Sequence, residues 1–390
     1  MSFRFLTAGE SHGKALVGII DGFPSGVSID KEEFFKQMKR RKMGYGRGGR
    51  QKIETDEVEF LAGVRHGSTL GSPISMAVWN RDWPNWQDIM DSDPFTGEQI
   101  RRQVKVPRPG HADYLGGVKY GHLDDMRNVL ERSSARETAM RVAVGTVARM
   151  FLTQLGIDVA SRVIQIGPIV DETPMPQSML GLNDILDQNP VRCLDSLASE
   201  KMVQYIDDIK KSGDTIGGTF EVYAEGVPLA LGSYSQWDRR FEGQLGQAFL
   251  SMNAFKSVEL GIGKNAGLVK GSEAHDAFYP GKQHAEKLEY KTNHSGGITG
   301  GMTTGQTLVI RASMKPIATL MKPLDSVNLQ SKVAEKAHVE RSDYCAVPAA
   351  AVIGESLMCI ELAKAILEKF GGDSLLEIKE RVDLWNQRTK

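Results

Sequence analysis

The stretch RRKMGYGRGGRQK, residues 40–52, carries six basic side chains, five glycine or tyrosine spacers and no acid. Guanidinium groups present a planar fork of donors matched to phosphate and carboxylate, and glycines let the backbone approach a ligand closely. One arginine gains roughly 4 kcal/mol of Coulomb energy against a unit charge at about 4 Å when the effective dielectric is near 20. Several arginines in one loop therefore suit a small, multiply charged anion. The same charges repel one another, so residues 42–51 are expected to be mobile until an anion neutralises them. An RNA-binding reading of the glycine-rich basic loop meets two objections. The 48 Lys plus Arg are balanced by 49 Asp plus Glu, and aromatic residues do not interleave with the other clusters. A dinucleotide fingerprint is also disfavoured, because these glycines follow a helix, whereas that motif needs a preceding strand.

Three further clusters combine polar side chains with turn residues. TAGESHGKA, residues 7–15, sets Ser11 and His12 between glycines after a strand. PRPGHAD, residues 107–113, holds Arg108 and His111 in a proline-fixed turn. LERSSARETAMR, residues 130–141, gathers Arg132, Ser133, Ser134 and Arg136 at a helix start, where free N–H groups and the helix dipole favour an anion. Each has an ordinary alternative: a structural histidine, a tight turn, a serine N-cap. The N-cap leaves Arg132 and Arg136 without a purpose.

The elements that must position these clusters are readable from periodicity. KALVGIIDGF (14–23), SPISMAVWN (72–80) and QTLVIRASM (306–314) have strand length and turn-like flanks. In DKEEFFKQMKRR (30–41), Asp30 as N-cap and Glu33 three positions later form a capping-box pattern that places Arg40 and Arg41 at the helix C-terminus. Apolar residues at 144, 147, 148, 151, 152 and 155 mark one helical face that stops at Gly156. A last long helix spans roughly 347–370, its Ala-rich first turns fitted for close packing. Mixed strands and helices without strict alternation predict an α+β layered domain and not a doubly wound one.

The whole chain has 390 residues and 41% hydrophobic content, enough for a substantial core. Three cysteines without paired spacing argue against a disulfide framework and a zinc site, and no metal is expected. No apolar run reaches about 18 residues, so a cytoplasmic protein without a membrane partner is expected. Residues 171–214 hold nine acids, four bases and three prolines. They read as a peripheral helical excursion, with little site chemistry, that tolerates change.

TAGESHG, RRKMGYGRGGR, PRPGHAD, ERSSARET, SMNAFK, GGITGGMTTGQ, MKPIAT and VERSDYCAVPA follow in the order found in chorismate synthases. Through these eight motifs the chain resembles that family over nearly its full length. The resemblance implies a β-α-β sandwich in a single large domain spanning 1–390, with mixed sheets in the core and helices outside, assembled as a homotetramer. It implies a carbon–oxygen lyase that removes phosphate and a ring hydrogen from 5-enolpyruvylshikimate 3-phosphate with reduced FMN. NADPH is a candidate source of the electrons, and Arg41 and Arg47 are the residues that could touch a nicotinamide nucleotide.

By the same resemblance Arg41, Arg47, Arg50, Arg108, Arg136 and Arg341 hold the substrate's two carboxylates and phosphate. His12 is implied as the donor at the departing phosphate, His111 as the partner of the reduced flavin, and Asp343 as the group that manages the flavin N5 proton. Ser11 and Ser134 are the implied linking hydroxyls. FMN contacts are implied for Arg132, Ser133, Ser134, Asn253, Ala254, Gly300, Lys315, Pro316, Ile317, Ala318, Thr319 and Arg341. Tyr344 departs from the pattern, where a smaller residue is usual, and its ring is expected to crowd or cover the flavin pocket. His294 also departs from it and reads as a loop histidine.

Overall fold

A computed structural model describes residues 3–49, 53–97, 100–281 and 288–389. The strands Arg4–Ala8, Ala15–Asp21, Ile74–Trp79 and Glu59–Ala62 form a four-stranded sheet in that spatial order. Alternation sends Leu16, Ile20, Ile74, Met76 and Val78 into the core. A five-stranded sheet runs Phe255–Leu260, Leu308–Met314, Gly218–Glu225, Asp158–Ile166 and Ile169–Val170.

Between the sheets lie the helices Thr138–Thr153 and Val347–Phe370, packed on each other. The first covers the four-stranded sheet and the second the five-stranded one. The helix Val347–Phe370 is buried without interruption from Val347 to Ala363, as expected for a helix that is apolar nearly all round. At Gly145 the two helices touch: a Cβ there would stand 2.4 Å from Cβ of Ser356. One apolar cluster runs through all layers, from Phe3 to Val382.

The β-α-β sandwich is thus present, with two refinements. The helices of its middle layer are inside, because their faces are apolar toward both sheets, whereas Lys31–Lys42 and Leu375–Thr389 lie outside. The pairings between the strands of both large sheets are antiparallel and not mixed.

The predicted strands appear as Ala15–Asp21, Ile74–Trp79 and Leu308–Met314. The helix Lys31–Lys42 begins where Asp30 Oδ1 accepts the Glu32 N–H at 2.8 Å. The reciprocal capping-box bond is not made, since Glu33 instead accepts from Gln37 at 2.6 Å. This helix delivers its last two arginines to different places. Arg40 enters the core and donates to both oxygens of Glu355 at 2.8 Å, while Arg41 turns toward a cavity.

Residues 171–214 contain the helices Leu182–Leu186 and Ser196–Ser212. Tolerance to change does not extend to all of them. Asp187 pairs with Arg40 and Arg192, and Arg192 reaches buried Glu355 at 3.3 Å.

Candidate active site

The clusters separated in sequence meet around one cavity of about 390 Å³. It lies where the helix Lys31–Lys42 ends and the helix Val347–Phe370 begins. Arg41, Arg47, Arg108, Arg136, Lys315 and Arg341 line it, against the acids Glu54, Glu340 and Asp343. Ser11, His12, His111, Ser133, Ser134, Asn253, Ala254, Ile317, Ala318 and Thr319 complete the expected set within the lining.

Three expected residues lie elsewhere, and Arg50 lies outside the described residues. Arg132 donates to the Thr7 carbonyl at 2.9 Å and to that of Gly9 at 3.2 Å, so it braces the segment leading to His12. Gly300 sits at the exposed turn between Ile298–Thr299 and Met302–Thr303. Pro316 is exposed between two lining residues. Tyr344 does not crowd the cavity: its backbone pairs with Gly46 and Ile216, and its ring lies 5.8 Å from Lys210 Nζ. His294 is in a loop, its N–H donating to Asp276 at 2.7 Å.

On the anion side, Arg41 and Arg136 flank the wholly buried Asp56. Arg41 also donates to Thr138 Oγ1 at 2.9 Å and Arg136 to Asn80 Oδ1 at 2.9 Å. Burial, together with the charges of Arg136 and Arg47, pulls the Arg41 guanidinium down to about 10 despite Asp56. Glu54 also pairs with Arg136, at 3.4 Å, and Arg41 and Arg136 both line the cavity. Arg47 pairs with Asp343 at 3.3 Å, and Gly48 N–H donates to Asp343 Oδ1 at 2.6 Å. Tyr45 adds bonds to the Pro190 carbonyl and to Asp207, both at 2.8 Å. Tyr45, Arg47 and Gly48 thus each have a partner, while residues 50 and 51 of the loop lie outside the described residues.

His12 is buried and stacked on Trp86, ring centroids 3.7 Å apart. Its Nδ1 lies 2.9 Å from Glu131 Oε1, and its backbone N–H donates to Oε2 at 2.8 Å. Burial would raise the Glu131 carboxyl, but the bonds from His12 and the charge of Arg127 hold it below the usual range. With Nδ1 occupied, Nε2 is the ring nitrogen left to meet a ligand. His111 repeats the arrangement: its Nδ1 is 2.6 Å from Asp113 Oδ1. Arg108 spends its donors on Asp113, at 2.8 and 3.0 Å, and on Thr319 at 2.8 Å. It orients the turn while lining the cavity. Ser11 and Ser134 hydroxyls are 3.0 Å apart, joining the His12 segment to the cap of the next helix.

Asp56, Glu131 and Trp86 were not singled out by sequence reasoning. A signal existed for the acids, since buried arginines require counter-ions, but it does not say which acid serves which arginine.

The remaining lining combines apolar side chains with a few polar groups. Ala346, Ala349, Ala350 and Ile353 offer a low apolar surface at the helix start, continued by Met252 and Met314. The same lining includes Lys315, whose Nζ donates to the Gly110 carbonyl at 2.9 Å, and Asn253, whose amide donates to the Ser133 carbonyl at 2.9 Å. Burial and the charge of Lys256 lower the Lys315 ammonium, so an anionic group nearby would be welcome. An apolar wall with a few convergent polar groups is the common form of a cofactor pocket.

The chain is similar to known proteins along its length. The chorismate synthase family profile matches residues 3–367. A chorismate synthase of Geobacillus sp. (strain WCH70) is 50% identical over 381 residues, 97% of each chain. One from Listeria monocytogenes serovar 1/2a is 49% identical over 388 residues, 99% of each. A solved structure, described as the crystal structure of chorismate synthase, superposes with a TM-score of 0.78 at 37% identity, covering 99% of this chain and 98% of its own. The profile match and these full-length identities, falling on a chain whose motifs converge on one cation-rich cavity, place it in the chorismate synthase family.

Proposed function

We propose a division of labour within this cavity for the family's reaction: the anti-1,4-elimination of phosphate and a ring hydrogen from 5-enolpyruvylshikimate 3-phosphate to give chorismate. This is the last common step of the shikimate pathway. The observation that carries the assignment is that the His12–Glu131 pair shares one cavity with Arg41, Arg47, Arg136 and Arg341. The substrate bears two carboxylates and a phosphate, about 3.5 to 4 negative charges. Arg41, Arg47, Arg136 and Arg341 hold these groups, and Arg108 fixes His111 and Asp113 behind them.

His12, its Nδ1 proton held by Glu131, donates through Nε2 to the phosphate as the carbon–oxygen bond breaks. Asp343, aligned by the Gly48 N–H, takes up the proton derived from the ring hydrogen. His111, fixed by Asp113, would stabilise the charge of the reduced cofactor. Ser133, Asn253, Ala254, Lys315, Ile317, Ala318 and Thr319 would hold reduced FMN against the apolar wall. Bound there, reduced FMN supplies electron density as phosphate leaves and recovers it as the hydrogen departs, which the non-acidic ring hydrogen requires.

NADPH supplies the electrons in this reading, through Arg41 and Arg47. It then competes with substrate, and substrate should suppress anaerobic NADPH oxidation. The enzyme works in the cytoplasm as a homotetramer. In support of assembly, the outer face of the four-stranded sheet leaves Leu6, Ile19, Leu61 and Trp79 exposed. Among the described residues no helix is long and apolar enough to cross a membrane, and the balanced charge offers nucleic acid no coat. The test of the assignment is anaerobic: protein, reduced FMN and substrate, with chorismate absorbance and phosphate release followed together. Equal release with flavin still reduced is expected. Folded, flavin-bound protein that yields neither product would overturn it.

A further inference from the structure

Behind His12 the charged groups continue in a line toward the surface. Glu131 Oε1 accepts from His12 Nδ1 at 2.9 Å and from Arg127 Nη1 at 3.1 Å. The same Nη1 donates to Glu340 Oε1 at 2.9 Å, and that oxygen meets His338 Nε2 at 3.0 Å. Two further contacts keep Arg127 between these acids. Its Nε donates to the Arg102 carbonyl at 3.0 Å, and its guanidinium lies 5.3 Å from the ring of Trp86, on which His12 stacks.

Two acids therefore share one buried arginine. While Glu340 draws on Arg127, the charge of Glu131 remains available to the His12 imidazole. Without Glu340, Arg127 turns wholly to Glu131 and competes with the imidazole for it. Glu340 is well suited to this. Burial opposes its charge, but His338 and Arg127 hold its carboxyl down at about 2, so it stays ionised throughout the working pH range. Unlike Glu131, it is a quarter exposed, with His338 beside it at 28%.

We infer that Glu340 is a positioning residue for the reaction, one that keeps the His12 imidazole protonated by occupying Arg127, and that His338 adjusts this from the rim. A proton on His338 weakens the hold of Glu340 on Arg127 and so weakens the hold of Glu131 on the His12 proton. The inference rests on the reading of His12 as the acid. The other charges facing His12 are Asp82, which bonds Trp86 and Arg341, and Arg102, over the Trp86 ring at 4.3 Å. The substitutions below leave them in place.

Glu340→Gln keeps the shape and removes the charge. In the flavin-loaded enzyme, activity is lost as pH rises and His12 gives up its proton, so the alkaline limb of kcat/KM should move to lower pH. A unit charge roughly 8 Å away at an effective dielectric near 20 moves it by roughly one and a half units. His338→Gln removes the group that weakens Glu340, and the limb should not move downward. The titration of the His12 ring itself, followed by NMR and assigned through its loss in His12→Asn, gives a readout independent of turnover. A lower midpoint in Glu340→Gln, without one in His338→Gln, supports the inference. An unmoved midpoint in Glu340→Gln, or equal lowering in both variants, overturns it. A midpoint that falls while the pH–rate limb stays would remove His12 from the part of acid, and with it the part of Glu340 in the reaction.

Discussion

Replacing Asp56 by Asn removes one negative charge and little else. The residue sits at φ +57°, a left-handed conformation that Asn adopts readily, and the amide matches the carboxylate in size. What is lost is the counter-charge to Arg41, whose Nη1 stands 3.2 Å from Oδ2, and to Arg136 on the other oxygen. The Asp56 side chain is wholly buried and both arginines are nearly so. Breaking a buried pair by neutralising one partner costs about 3–5 kcal/mol, so ligand-free Asp56→Asn should be less stable by about that amount.

A multiply charged anion held between the two arginines should return part of this loss. By linkage, saturating substrate then stabilises the variant more than the parent. An extra gain of about 1.4 kcal/mol corresponds to tenfold tighter binding. Urea unfolding, followed by tryptophan fluorescence at increasing substrate, measures both quantities. The pH dependence adds a check. Despite burial, Arg41 and Arg136 hold the Asp56 carboxyl below the usual range. Its contribution is therefore complete above an unfolded value of about 3.9 and is lost as pH falls through the lower folded value. Parent and variant should converge below about pH 4. Equal gains from substrate in both proteins, or equal stability at neutral pH, would refute the idea that Asp56 stands in for part of the anion.

His12→Asn and His111→Asn should bind flavin and substrate while turning over about 10²–10⁴-fold more slowly; a folded variant with impaired binding but normal turnover at saturation would refute the assigned part. Glu355 is buried, yet Arg40, Arg149 and Arg192 hold its carboxyl down at about 2. Its stabilisation should be whole above an unfolded value of about 4.3 and fade as pH falls toward 2, so Glu355→Gln should lose about 3–5 kcal/mol at pH 7 and much less in acid, by urea titration. A Cβ on Gly48 would lie 2.5 Å from the Ser342 carbonyl oxygen, so Gly48→Ala should displace the loop from Asp343 and depress turnover with the fold intact by circular dichroism. Full activity in that variant would show that the close approach is dispensable.

The helix Val347–Phe370 was legible because its composition leaves it only a buried position, and the helix Lys31–Lys42 because Asp30 marks its start. The site lining was legible through motifs, each of which keeps its polar residues close together in sequence. What escaped were the partners. His12 and Glu131 are 119 residues apart, and Arg40 and Glu355 are 315 apart, so nothing local connects them. Direction escaped too. Arg132 and Pro316 sit within motifs that reach the cavity, yet turn away from it, because neighbouring positions on a helix or an extended segment face different ways. Tyr344 was misplaced for the same reason: it follows Asp343 directly, and its side chain leaves on the opposite side, toward Lys210.

The acids of the cavity divide by depth, and the division bears on how an anion enters. The Asp56, Asp113 and Glu131 side chains are wholly buried, each behind the arginine or histidine it fixes. Asp343, Glu340 and Glu54 belong to the lining itself. An arriving anion therefore does not have to displace the deep acids. It meets cations whose positions are already set. Arg41 is one, held at the cavity wall by Asp56 and Thr138. Pre-set donors lower the ordering that binding must otherwise impose, and they cost no reorganisation as charge moves onto the departing phosphate. The shallow acids stand where a ligand can reach them: Asp343 holds Arg47 and the Gly48 N–H, and Glu340 holds Arg127 and meets His338.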